Sequence, residues 1–510
     1  MKTRFFPMRA LWALCFLSCA AAAATPPATT GEKWLKLTSE HFEIFTCGHE
    51  RGATQLLVKL EQFREFFLRA LRQRRVYEPK LQIFIFDSKE HFTRYLDTQK
   101  PGRKEHTPLG LHMGSRLQSR VTVLQNRLSQ STIIHEYVHS LAYARLGRDL
   151  PLWFNEGLAT VFDTFSTNGD TVTFGKMHER RFLAASDIST IPLVTLFAVK
   201  RESPYYTGGE LTTKFYAQSW LLLHYAMLGK NNEPYTMENM LRFVDEVTRL
   251  QADTARAFAR AFGSDYSNLE KALDSYMRAG EYSTMTATIP VKPIKDKITT
   301  RAVTDEEREI ELAGLAWRSV AGDSSALSTL RRLEKKYPEN PRIHEILAET
   351  QIRKGDNKAV ASCLEKAVAR NTANPLVHVE LLKTKNIKPA KPGSLMSGRM
   401  AAESTSLVDG ALKLAPNCME AQEMLAIIES QNPDIRVEKI ASVLEALPSM
   451  RERDKTRYAL AVIFWRLKRH DEALAWINEL AKELKPSDET QLFARELRWL
   501  IAKETGGKAP

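Results

Sequence analysis

Two short stretches restrict this chain more than anything else in it: His135-Glu136-Tyr137-Val138-His139, and Glu156 within Trp153-Phe154-Asn155-Glu156-Gly157-Leu158-Ala159, with 16 residues between His139 and Glu156. On a helix, positions i and i+4 lie one above the other, so His135 and His139 present their imidazoles to a common point. The helix can run on to Leu146, rising ~10 Å beyond His139 at ~1.5 Å per residue. Gly147 suits the residue that ends it, Arg148-Asp149-Leu150 turns the chain, and Pro151 suits the first position of a returning helix. Five residues back cover ~7.5 Å, which brings Glu156 near the level of His139. The expected local structure is an antiparallel helix hairpin.

Zinc held by two His needs a third protein ligand and keeps one position open for water. His135, His139 and Glu156 supply that set, and Glu136 projects beside the pair, where it can take a proton from a water molecule. The alternative is an accidental HExxH on an amphipathic helix, in a chain with 12 His among 510 residues. It leaves Glu156 without a reason, because five residues past Pro151 lies beyond the first helical turn, where a helix N-terminus attracts acids.

The HEYVH and WFNEGLA stretches at this spacing resemble the gluzincin metallopeptidases, including the aminopeptidase-like branch and the small peptidase MA-like domains of secreted bacterial proteins. The resemblance extends over about residues 34–282. It implies that His135, His139 and Glu156 bind Zn2+, that Glu136 is the general base, and that the reaction is peptide-bond hydrolysis. It further implies a Tyr hydroxyl for the oxyanion, for which Tyr216 in Lys214-Phe215-Tyr216-Ala217-Gln218 is the candidate, with core packing as the alternative. Asp163 is a candidate to orient a ligand His, with a solvated surface acid as its alternative. The fold implied by the resemblance would bind an extended peptide along an edge strand near Val121-Thr122-Val123-Leu124. The gap to the third ligand is shorter than in thermolysin-like enzymes, and no GxMEN-like element is present to hold a substrate amino terminus. Aminopeptidase specificity therefore does not follow. His106, His112 and His224 are read as structural.

The wider pattern is α+β. Phe42, Ile44 and Thr46 alternate with Glu43 and Phe45 as a half-buried strand, Leu56, Leu60, Phe63, Phe67 and Leu71 follow helical spacing, and Leu81 to Phe86 forms a second strand that Asp87-Ser88 can cap into a helix. Residues 131–282 read almost wholly as helix. Residues 283–305 carry Thr, Pro and Lys without apolar periodicity and read as a linker. Beyond them Pro341 and Pro375 stand 34 apart, and small residues recur at helix-crossing positions. That period resembles tetratricopeptide repeats, whose helix pairs bury their faces only by stacking. The Pro/Lys/Gly-rich residues 383–397 interrupt it, and a generic helical array is the alternative. The expected architecture is a small mixed sheet with a helical gluzincin-like catalytic subdomain, followed by an all-α repeat domain. Its divisions are residues 1–24, 25–130, 131–282, 283–305 and 306–510.

Lys2, Arg4 and Arg9 precede a Leu/Trp/Phe/Ala run ending in small residues before Thr25-Pro26-Pro27, the layout of a secretory signal peptide. The run is shorter than the ~20 residues of a membrane span, though an uncleaved anchor is the alternative. Phe16-Leu17-Ser18-Cys19 is a poor lipoprotein box. A secreted or periplasmic protein is expected, with no membrane span after signal removal. The net charge of +12 is interspersed, with no basic stripe or nucleic-acid motif, so no nucleic-acid partner is expected. Of five Cys, Cys47, Cys363 and Cys418 outlast the signal. Cys363 and Cys418 can pair or stay as separate buried thiols. The leading reading is a zinc metallopeptidase acting on a peptide or protein substrate, with a helical module for a protein partner. A catalytically inactive metallopeptidase-like scaffold and a purely structural repeat protein are the alternatives.

Overall fold

Period-2 alternation sends Leu81 and Ile83 to one face of a strand and Gln82, Phe84 and Phe86 to the other, and the N-terminal half is organised by that division. The computed structural model describes residues 33–506 apart from 48–49, 72–74, 94–109, 125–128, 147–149, 178–190, 249–251, 318–322, 448–452 and 484–488. The signal-like segment, Cys15, Cys19, His106 and Gly147 lie outside these residues. The strands are β1 (Leu35–Thr38), β2 (Phe42–Thr46), β3 (Leu81–Phe86), β4 (Gly110–Gly114), β5 (Ser119–Leu124), β6 (Ser166–Asn168), β7 (Thr171–Phe174), β8 (Met285–Thr288) and β9 (Thr299–Ala302). The first helices are α1 (Glu50–Ala70), α2 (Lys89–Thr93), α3 (Ser129–Leu146), α4 (Leu152–Phe162), α5 (Leu193–Ala198) and α6 (Glu210–Leu228).

Six strands form a mixed sheet in the order β4-β5-β3-β2-β1-β9, with β2, β3 and β5 parallel. One face buries Phe42, Ile44, Ile83, Val121 and Val123 against Leu57, Leu60, Phe63 and Phe67 of α1 and Tyr137 and Val138 of α3. Each such side chain contributes about 1.5–3 kcal/mol relative to exposure. The opposite face is covered too. Phe45 and Phe84 stack with ring centroids 4.7 Å apart and pack with Phe86, Phe92 and Leu315. The strand at Phe42 is therefore buried on both faces, not half-buried, because helices from beyond residue 300 lie across the second face.

Three sequence expectations change here. The strand at Val121 is not an edge: β5 is hydrogen-bonded to β3 on one side and β4 on the other, and among the described residues β4 and β9 are the two edge strands. Residues 131–282 include the hairpin β6-β7, which β8 extends into a second sheet. Residues 283–305 are no linker, since β8 pairs with β7 and β9 pairs with β1. All four residues of β9 are exposed. Backbone hydrogen bonds hold such a strand, so its side chains carry no apolar period to read.

The C-terminal region is a stack of antiparallel helix pairs: Asp305–Ala316 with Asp323–Lys336, Pro341–Lys354 with Asn357–Ala369, Pro375–Thr384 with Gly398–Leu414, Met419–Gln431 with Ile440–Ala446, and Arg453–Arg466 with His470–Glu483, closed by Glu489–Thr505. Asn340 and Asn374 are equivalent N-caps, each accepting from the backbone N–H two residues on and each followed by Pro. This repeated cap sets the 34-residue register. Gly410 lets Gly398–Leu414 approach its neighbour, since a Cβ there would come within 2.9 Å of the His378 ring. Cys363 and Cys418 do not pair, and no disulfide links the three cysteines among the described residues.

The repeats meet the sheet through buried charge. Arg120 on β5 donates to Glu349 at 3.0 Å. Arg342 donates to Glu311 at 2.8 Å and to Gln82 of β3 at 3.1 Å. Burial alone would raise the Glu311 carboxyl, but Arg342 and then Arg120 hold it below its ordinary value. Unfolded, this carboxyl titrates near ~4.3. Because its folded value is lower, the stability it contributes is complete above that pH and is lost as pH falls towards the folded value. The thermal midpoint is expected to fall below about pH 4, and Glu311→Gln to flatten that acid limb in calorimetry. An acid limb of unchanged steepness in the variant would show that Glu311 does not drive it.

Candidate metal centre

Tyr137, two residues from His135, lies on the opposite side of α3 from the imidazoles, and this orients the helix. Its ring packs on Phe42 at 4.8 Å and Phe63 at 6.0 Å. Phe162 at the end of α4 meets the same Phe63 at 5.6 Å. One aromatic cluster under the sheet therefore seats both helices of the hairpin. Buried Trp153 and Phe154 anchor the start of α4, which Pro151 precedes as N-cap, one position earlier than the sequence pattern suggests. Gly157 brings α4 against α6: a Cβ there would lie 2.5 Å from the Ser219 carbonyl oxygen.

The geometry places His135, His139 and Glu156 together, with one donor atom from each within 4.8 Å of the others. Glu156 Oε2 is 3.5 Å from His135 Nε2 and 3.5 Å from His139 Nε2. Ligands ~2.1 Å from a tetrahedral zinc stand ~3.4 Å apart, which both Glu156–imidazole distances match, and two His with one carboxylate are a donor set suited to zinc. The carboxylate divides its roles: Oε1 accepts a 2.9 Å hydrogen bond from Tyr206, while Oε2, buried, has no hydrogen-bond partner among the described residues. An orphaned, buried carboxylate oxygen facing two imidazoles is what a cation between them would satisfy.

The electrostatics are those of a buried carboxylate facing two imidazoles. Burial would raise the Glu156 carboxyl, but the facing imidazoles of His135 and His139 hold it well below the carboxylate range. Burial would lower His139, but Glu156, with Glu136 and Asn155, lifts it to about 9. Glu136 stands beside the pair, its carboxyl pushed up by burial and only partly offset by the two His. Asp163 is buried rather than a surface acid, with Oδ2 4.0 Å from His135 Nδ1. Tyr216 lies beside Glu156 and Tyr206, its ring 6.4 Å from that of Tyr206 and nearly parallel. Burial and the Glu156 charge push both phenols up, so both stay protonated as donors.

Tyr206 is a site residue that the motifs do not reveal. It sits ten residues before Tyr216, in the loop ahead of α6, and the only sequence signal is the Tyr205-Tyr206 pair before Gly208-Gly209. His224 is structural: its Nε2 is 2.8 Å from the Gly175 carbonyl and its Nδ1 2.8 Å from the Tyr276 hydroxyl. His112 lies on β4.

Among known proteins, the tetratricopeptide repeat family matches residues 451–489. A thermophilic tetratricopeptide protein from Thermus thermophilus is similar at 20% identity, covering 38% of this chain and 98% of its own, with a TM-score of 0.23. The pilF protein of Pseudomonas aeruginosa is similar at 16% identity, covering 39% and 84%, with a TM-score of 0.25. No curated protein matches. With the family match and the stacked helix pairs, the C-terminal region is a tetratricopeptide-type helical repeat. No helix among the described residues is long and apolar enough to cross a membrane.

Proposed function

We propose that this protein is an exported zinc-dependent metallopeptidase, secreted or periplasmic, that hydrolyses peptide bonds in a peptide or protein substrate and carries a protein-binding repeat module. The single observation that supports it most is the convergence of His135, His139 and the unsatisfied Glu156 Oε2 on one point, with Glu136 alongside. Zinc at that point would supply Lewis acidity and lower the pKa of a water towards ~7. Glu136 would take the proton from the attacking water and return it to the leaving amine. Tyr216, protonated and half-buried, would donate its hydroxyl to the developing oxyanion. Asp163 would orient the His135 ring from its Nδ1 side. The test is the zinc content of the purified chain together with digestion of a mixed peptide library, with and without chelator. Absence of zinc, or cleavage that a chelator leaves untouched, would reject the reading.

Tyr206 has a separate part in it. By occupying Oε1, its phenol leaves only Oε2 to face the imidazoles, so Glu156 would ligate through one oxygen and leave room for water. Tyr206→Phe is expected to weaken zinc binding ~10–100-fold, as measured by chelator competition. An unchanged dissociation constant would remove Tyr206 from the site.

A further inference from the structure

Tetratricopeptide modules bind extended segments along the helices that line their inner surface. In this chain the first helices of successive pairs, Pro341–Lys354, Pro375–Thr384 and Met419–Gln431, are buried almost all the way round, whereas their partners Asn357–Ala369 and Gly398–Leu414 bury a single stripe. The surface that would receive a ligand is already covered, and the cover is identifiable. The turn from β4 to β5, Ser115-Arg116-Leu117-Gln118, lies on it.

The contacts are those of peptide recognition. Ser115 Oγ donates to Glu349 at 2.8 Å, and Arg116 donates to Glu380 at 3.2 Å, so acids from the first helices of two consecutive repeats each hold one residue of the turn. Leu117 is fully buried within the apolar core of the repeats, and its carbonyl accepts from the Asn374 side chain at 3.0 Å. The adjoining Tyr77 backbone N–H donates to the Asn417 carbonyl at 3.0 Å, and Val76 and Tyr77 pack on the same core. Further along, the Pro/Lys/Gly-rich interruption of the repeat covers the next two first helices. Gln431 donates to the Lys388 carbonyl at 2.9 Å and Tyr458 to the Ala390 carbonyl at 2.6 Å, with Ile387 and Met396 buried.

We propose that the binding face of the repeats is filled in cis, with the β4–β5 turn as its ligand, and that its task is to hold the edge strand β4 in place beside the metal-site helix α3. A separate polypeptide does not use that face while the turn is seated. The inference rests on the repeat reading alone and needs no zinc. Strand β4 pairs with β5 and packs on α3, so a turn anchored to two repeats fixes the strand that borders the site.

The test uses the full chain and a fluorescent peptide of its own residues 113–121. Wild-type protein is expected to bind no peptide, because the face is occupied. The Arg116→Glu, Leu117→Asp variant, which displaces the turn, is expected to bind it with a signal at least tenfold above wild type, and adding Glu380→Gln to weaken that binding at least tenfold. Hydrogen exchange over β4 and the turn should speed up at least tenfold in the displaced variant. If circular dichroism shows that variant unfolded, the milder Arg116→Ala, Leu117→Ala pair replaces it. Equal binding by wild type, no binding by a folded variant, or unchanged exchange in β4 each overturns the proposal. Zinc content measured on the same samples reports separately on the metallopeptidase reading.

Discussion

Glu136→Gln is expected to keep zinc at the wild-type level while lowering peptide hydrolysis about a thousandfold, the middle of the range for removing a general base. The amide has the shape of the carboxyl, so the α3 backbone and the three converging donors are undisturbed. It cannot accept the proton of the attacking water. Glu136 is not among the three donors that meet, which is why metal content and turnover should separate. His135→Ala, by contrast, should lose both. The measurement is zinc per chain by elemental analysis beside initial rates on one library-derived peptide. A variant that cleaves at half the wild-type rate would exclude Glu136 as base.

Arg120→Ala is expected to cost about 3–5 kcal/mol of stability, read from the urea midpoint. The side chains of Arg120 and Glu349 are 1% and 0% exposed and pair at 3.0 Å, so removing the cation strands a carboxylate in the interior between sheet and repeats. Ser115 also donates to Glu349, and one hydroxyl does not offset a missing charge. Arg120→Met with Glu349→Met removes both charges and refills the volume, and is expected to fall within about 1 kcal/mol of wild type or above it. If single and double variants lose the same amount, the pair is not what the interface depends on, and packing of Leu117 and its neighbours carries it instead.

Much of the centre was legible because helix geometry is local. A spacing of four puts His135 over His139, and a helix that runs to Leu146 and returns through Pro151 brings Glu156 back to them. Tyr206 left no comparable trace, since a phenol reaches Glu156 from a loop 50 residues away through the approach of α6 to α4 at Gly157. Likewise, a strand buried on both faces reads differently from a half-buried one only when its cover is known. Phe45 and Phe84 are covered by helices more than 200 residues later in the chain.

What the amino-acid sequence determined by itself are the features that repeat within a few turns of chain: the two-imidazole helix face, the returning carboxylate and the 34-residue register that Asn340-Pro341 and Asn374-Pro375 mark. Tertiary structure alone decided the strand order that makes β4 an edge, the pairing of β9 with β1, and the seating of Ser115 to Gln118 on the repeats. Side-chain periodicity records which face of an element is buried. It does not record which backbone edge, or which distant carboxylate, completes the hydrogen bonds on the other side, and those partners are set only when the whole chain closes on itself.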